Sequence, residues 1–192
     1  MLTILRCGPA TTVQDLGRPG LAALGVPRSG AADRGALRLA NRLLGNPESA
    51  AAFEVTLGGL VVRAERGLWL SVTGAPGPVL VDGSDVGSSH AFTVGPGGLV
   101  EVGMPRAGLR TYLAVRGGLA VPPLLGSASA DLLSGLVPGP VVEGAGFPVG
   151  MPRGRLPPVT EAPVLPLPSV PALRIAPGPR RVGSPAQAAR SV

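Results

Sequence analysis

Short apolar runs, each four to nine residues long and each closed by Gly or Pro, constrain this chain more than any other feature. FEVTL (53–57), LVVR (60–63), LWLSVT (68–73), VLVDG (79–83), HAFTV (90–94), LVEVG (99–103) and LRTYLAVRG (109–117) follow one another at intervals of about 8–12 residues, the spacing of strands in a sandwich or barrel. LTILR (2–6) reads as an earlier strand, and Gly8 to Gly30 as loop. Strands and helices do not alternate, so a parallel α/β sheet is not expected. Gly 30 and Pro 23 would suggest disorder if they stood in tracts, but here they punctuate apolar segments.

One helix interrupts the pattern. Ala36, Leu39, Ala40, Leu43 and Leu44 recur at spacings of three and four and define one apolar face, with Arg34, Arg38, Asn41 and Arg42 turned elsewhere. Ser29 or Asp33 can cap its start, Gly45 suits a left-handed end, and Asn46-Pro47 stops it. A short helix or turn is expected near 127–135. The expected organisation is a β-rich domain over 1–150 and a Pro/Arg-rich, largely irregular tail over 151–192, with LRIA (173–176) a lone strand candidate.

The formal charge of +6 invites nucleic acid as a partner, yet its distribution argues against it. All 17 basic residues are Arg; residues 1–150 carry 11 of them against 10 acids, and 151–192 carry 6 against Glu161 alone. With 3% aromatics there are few surfaces on which bases could stack. No segment has the length of a membrane span, and the N-terminus does not read as a signal peptide, so a cytoplasmic protein is expected. Cys7 stands alone and reads as a small buried residue. His90 is the only His and lacks metal-ligand spacing, so no metal is expected and an exposed loop end is the favoured reading.

Gln14-Asp15-Leu16-Gly17-Arg18 gathers an amide, a carboxylate and a guanidinium on a glycine-rich loop. Arg can grip a carboxylate with two prongs and Asp can accept a substrate N–H. The plainer reading, favoured on residue types alone, is that Asp15 and Arg18 close their own turn. Ser29 and Asp33 lead into the helix N-terminus, where an anion could dock, although capping alone is favoured. For Asn41, packing support is favoured over ligand contact. Strand alternation puts Glu54 and Thr56 opposite Phe53 and Val55. Solvation of Glu54 is favoured over a buried acid–base role. Arg116-Gly117-Gly118 closes the longest late strand and allows close backbone approach. No Gly-rich phosphate-binding motif of standard form is present.

The string TTVQDLGRPG…LGVPRSGAADRGALRLANRLLGNPESAAAFEVTLGG, with YLAVRGGLAVPPLLGSASADLLSG (112–135) and RIAPGPR (174–180), resembles one family. This is the family of the C subunit of 5-oxoprolinase, also known as allophanate hydrolase subunit 2 or antagonist of KipI, or as the A and B subdomains of a biotin-dependent carboxyltransferase. The resemblance implies a mainly β, cyclophilin-like barrel with one helix. It implies a partner like the B subunit (related to KipI and allophanate hydrolase subunit 1), a third hydrolase subunit, and ATP-driven cleavage of 5-oxo-L-proline to L-glutamate. Biotin belongs only to the alternative, a carboxyl-transfer module of urea amidolyase type; a third alternative is a regulator that binds a KipI-like partner. The matching positions are Gln14, Asp15, Arg18, Ser29, Asp33, Asn41, Glu54, Arg116 and Gly117. Catalytic roles are expected for Asp15, Arg18 and Arg116, with Gln14, Ser29, Asp33, Asn41 and Glu54 binding substrate. Family members carry a second barrel-like half, so a shortened C-terminus and an incomplete second half are expected here.

Overall fold

The computed structural model describes residues 1–135, 139–164, 170 and 172. LRIA (173–176) and RIAPGPR (174–180), read above as a strand candidate and a family motif, lie outside the described residues.

Eleven strands and one α-helix are present among the described residues. In chain order they are β1 (Leu2–Cys7), β2 (Ala10–Gln14), α1 (Arg34–Leu43), β3 (Ala52–Thr56), β4 (Leu60–Ala64), β5 (Leu68–Gly74), β6 (Val79–Val81), β7 (Ser84–Asp85), β8 (Ala91–Val94), β9 (Leu99–Val102), β10 (Arg110–Val115) and β11 (Gly146–Phe147). They form two antiparallel sheets, ordered β11-β1-β4-β9-β6-β7 and β2-β3-β10-β5-β8. The fold is thus mainly β with one helix, as the strand spacing and the resemblance imply.

The two sheets bury one apolar layer between them. Leu2, Ile4, Leu60, Val62, Val100 and Val102 come from the first sheet, and Val13, Phe53, Val55, Leu70, Val72, Leu113 and Val115 from the second. Period-2 alternation then sends the intervening residues of the second sheet to its opposite face, where α1 lies across β5 and β10. Leu37, Ala40 and Leu44 meet Ala52, Tyr112 and Ala114 there. Small residues at this contact bring the helix close enough for the sheet to bond it. Ser71 Oγ donates to the Ala40 carbonyl at 2.9 Å, and Thr73 Oγ1 to the Ala36 carbonyl at 2.7 Å. Asp33 caps α1, its Oδ1 accepting the Ala36 N–H at 2.9 Å, and Gly45 follows at φ +67°.

Two connections cross between the sheets at one corner. Gly8 carries β1 into β2, and Leu57-Gly58-Gly59, all at positive φ, carry β3 into β4. A Cβ on Gly8 would lie 2.1 Å from the Gly58 carbonyl oxygen, so the corner closes only with glycine.

The structure bears on three expectations. The stretch Gly8 to Gly30 is not all loop: Thr11, Thr12 and Val13 form β2, because β-branched residues suit the place beside β3. Of the short helix or turn expected near 127–135, the turn is what forms: Asp131 Oδ1 accepts the Leu133 and Ser134 N–H groups. Residues 151–164 are irregular in backbone but held to the body. The Ala91 N–H donates to Thr160 and the Ala162 N–H to Ser89, at 2.7 Å each.

Candidate functional site

The candidate residues fall into three groups, all on the helix side of the second sheet or at its ends. Asp15, Arg18 and Ser29 form the first group, with the 124–131 segment. Asp15 and Arg18 do not close their own turn with each other. Asp15 Oδ1 accepts Ser127 Oγ at 2.6 Å, Ser129 Oγ at 2.5 Å and the Gly17 N–H at 2.7 Å, while Oδ2 accepts the Ala128 N–H at 2.7 Å. Part-burial pushes this carboxyl up, but the four hydrogen bonds outweigh it and hold it below the usual carboxylate range.

Arg18 is 2% exposed. Its Nη1 donates to Ser29 Oγ at 3.0 Å, its Nη2 to the Ser129 carbonyl at 2.5 Å, and its Nε to the Leu124 carbonyl at 3.4 Å. Ser29, at φ +53°, passes the link on by donating to Asp131 Oδ2 at 3.0 Å. The Asp131 carboxyl is held low, first by the Ser134 N–H and further by Ser29. Gln14 is buried beside this group. Its Nε2 donates to Thr12 and Ala130, and its Oε1 has no partner among the described residues.

Glu54 anchors the second group. It is 6% exposed, which corrects the expected solvation. Paired residues Thr12, Glu54, Tyr112 and Thr73 form one row across the sheet, on the face that α1 covers. There Glu54 Oε2 accepts the Tyr112 hydroxyl at 2.7 Å and the Ala32 N–H at 2.8 Å. Glu54 Oε1 faces Arg110 Nε at 3.6 Å, and Arg110 Nη1 donates to Thr56 Oγ1. The Asp33 N–H donates to the Tyr112 oxygen at 2.7 Å. Burial above all, with the hydrogen bond to Glu54 and the charges of Glu54 and Asp33, raises the Tyr112 phenol far above its ordinary value, against the pull of the Asp33 N–H. Arg110 and Asp33 open onto a cleft of about 360 Å³ that also touches Ala32.

Asn41 and Arg116 belong to the third group, at the other end of α1. Asn41 is fully buried, and its Nδ2 donates to the Ala50 carbonyl at 2.8 Å and the Glu48 carbonyl at 3.3 Å. Asn46 Nδ2 donates to Asn41 Oδ1 at 3.0 Å and to the Val115 carbonyl at 2.8 Å. Arg116 donates to the Leu44 carbonyl at the helix C-terminus and to the Gly154 carbonyl. Ten helical residues separate Asp33 from Leu44, where Arg116 binds, roughly 15 Å along the axis. The structure therefore joins Asp15, Arg18 and Ser29, and separately Asp33 and Glu54, and places Arg116 with Asn41.

Tyr112, Arg110 and Ser129 escaped the sequence reading. The signal for Tyr112 was present: it is the only Tyr, and alternation in RTYLAV puts it on the face of Arg110. Cys7 is half-buried with Sγ 3.2 Å from the Val141 carbonyl, and burial raises its thiol, helped by the nearby Glu143 charge. His90 is half-buried, tilted against Phe92, rather than an exposed loop end.

The chain is thus a two-sheet antiparallel β module with one helix laid over a polar row. The model for the carboxyltransferase domain, subdomain A and B, matches residues 24–190, and the chain belongs to that family. It is 43% identical over 136 residues to the C subunit of 5-oxoprolinase from Escherichia coli (strain K12), covering 71% of this chain and 44% of that protein. It is 37% identical over 127 residues to urea amidolyase of Saccharomyces cerevisiae, covering 66% of this chain and 7% of that protein. Among solved structures, TTHA0988 in space group P212121 superposes with TM-score 0.87 at 36% identity, covering 95% of this chain and 37% of that one. The K. lactis urea amidolyase superposes with TM-score 0.65 at 36% identity, covering 67% of this chain and 8% of that one. The chain thus spans less than half the length of these relatives. No helix among the described residues is long and apolar enough to cross a membrane.

Proposed function

We propose that this chain is the amide-binding part of a multi-subunit, ATP-dependent enzyme that opens 5-oxo-L-proline to L-glutamate. The observation that carries this reading is the 43% identity to the C subunit of a 5-oxoprolinase. The partners in this reading are a protein like the B subunit and a third hydrolase subunit.

A lactam resists water because its nitrogen is a poor leaving group, and ATP supplies the driving force by phosphorylating the amide oxygen. In this reading ATP is handled on another subunit: the cleft at Arg110 offers one guanidinium where a triphosphate calls for several cations or a glycine-rich cradle. Asp15 and Arg18 act as positioning residues, since their hydrogen bonds go to the 124–131 segment. That segment and the turn beyond it present Leu125, Leu132 and Leu133 outward, the last 94% exposed, and a partner protein is the natural cover for such a rim.

Co-purification with both partners followed by ATP-dependent glutamate release tests the reading. A complete complex that binds ATP and releases no glutamate overturns it. A second reading, carboxyl transfer from biotin to urea, is favoured by the overlap with urea amidolyases. It predicts that the complex moves the carboxyl group of a carboxybiotin carrier onto urea, returning the carrier with free biotin, and opens no lactam.

A further inference from the structure

We propose that the cleft between Arg110 and Asp33 is a binding site for the edge of a small amide, taking its carbonyl on Arg110 and its N–H on Asp33. The cleft lies where the N-terminus of α1 meets the ends of β5 and β10. Its volume, about 360 Å³, sits at the small end of ligand pockets, so it suits a compact molecule. Gly74 and Gly108 keep one wall free of side chains. At Gly74, φ +103°, an added Cβ would stand 2.6 Å from the Arg110 carbonyl oxygen. Ala75 and Leu109 supply short apolar surface.

The two charged residues on this cleft each keep one unspent position. Arg110 uses Nε toward Glu54 and Nη1 toward Thr56, and its Nη2 has no partner among the described residues. Asp33 uses Oδ1 on the Ala36 N–H, and its Oδ2 has none among them. One donor and one acceptor, both charged, on a cleft of this size match the acceptor and donor of an amide edge. Glu54, buried behind Arg110, offsets the guanidinium charge. A second carboxylate, Asp33, lies on the cleft itself. The site therefore selects a carbonyl flanked by N–H over a simple carboxylate. Lactams and ureas share that edge, so the inference accounts for one module occurring in proteins named for either chemistry. It rests on the proposed function only for which amide is bound.

The test is ¹⁵N NMR titration of the full chain, following the Gly74 and Gly108 amides and Arg110 Nε. Probes are 5-oxo-L-proline, millimolar urea, and tetrahydrofuran-2-carboxylate, which keeps the ring and acid but has no amide. The expected result is saturable shifts at these resonances with the lactam or urea. Weakening of at least tenfold is expected with the amide-free analogue and with Asp33→Asn, which still caps the helix. Saturation by urea alone supports the site and points to the carboxyl-transfer source. Equal binding of the amide-free analogue, shifts confined to other residues, or no saturation with either amide overturns the proposal. Turnover in the reconstituted complex separates the two claims. Glutamate release with an unchanged KM in Asp33→Asn removes this site and leaves the proposed function standing. Saturable binding here with no release by the wild-type complex does the reverse.

Discussion

The Tyr112 hydroxyl donates to Glu54 Oε2 at 2.7 Å, from a strand residue directly opposite it in register. The same phenol oxygen accepts the Asp33 N–H, and the same carboxylate oxygen accepts the Ala32 N–H. A carboxylate on a β-sheet face is ordinarily left to water. Here it is covered by the loop entering α1, and the pair satisfies the backbone of that loop.

Tyr112→Phe leaves Glu54 buried with one donor fewer and the Asp33 N–H without its acceptor. Loss of about 1–3 kcal/mol of stability is expected, measured by urea unfolding. Amide exchange of Ala32 and Asp33 should rise by more than that of the strand cores. Unchanged exchange at those two amides would show that the phenol does not hold the loop.

Asp15→Asn replaces a pure acceptor with a group whose NH₂ faces hydroxyl and amide donors. A loss of about 1–3 kcal/mol is expected, with loosening confined to 127–131. The pH dependence has a fixed sign. The folded pKa of Asp15 lies below its unfolded value, so its contribution is complete above about pH 4 and is lost as pH falls through the folded value. Acid unfolding curves of wild type and Asp15→Asn should therefore converge below that window and diverge above it.

Much of the fold was legible because glycine and proline mark strand ends locally. All seven later apolar runs are strands, and the helix with its Asp33 cap and Gly45 stop lies where spacing put it. What was not legible depends on partners distant in the chain. β2 hides in a glycine-rich stretch and is a strand because β3 lies beside it, some 40 residues on. β11 is two residues long and has no pattern of its own. The site was legible as a set of residue types but not as a geometry. Asp15 and Arg18 stand three residues apart, yet Asp15 is held by Ser127–Ser129 and Arg18 by the Leu124 and Ser129 carbonyls, all more than 100 residues away. Glu54 looked solvated because its partners, Tyr112 and Ala32, lie on separate elements.

Gly58→Ala and Gly97→Ala form a matched pair. Both glycines have positive φ, near +72° and +79°, so each substitution carries a backbone cost of about 1–2 kcal/mol. At Gly97 the new methyl meets open space, whereas at Gly58 it would lie 2.2 Å from the Gly103 carbonyl oxygen. Gly58→Ala should cost clearly more than Gly97→Ala in chemical denaturation. Equal costs would mean that the corner between the sheets yields without effort.

Asn41 and Asn46 share a 3.0 Å hydrogen bond and between them reach four main-chain groups: the carbonyls of Glu48, Ala50 and Val115, and the Gly117 N–H, which Asn46 Oδ1 accepts at 2.8 Å. They tie the end of α1 to the end of β10 through side chains alone. Each Asn→Ala change leaves buried main-chain groups unpaired, at about 1–3 kcal/mol apiece. The bond between them makes the double variant less damaging than the sum, because the second substitution removes a side chain whose partner has already gone. A double-mutant cycle by urea unfolding should give a coupling of about 0.5–3 kcal/mol. Strict additivity would mean that the two side chains support the helix end independently and that the bond between them contributes nothing.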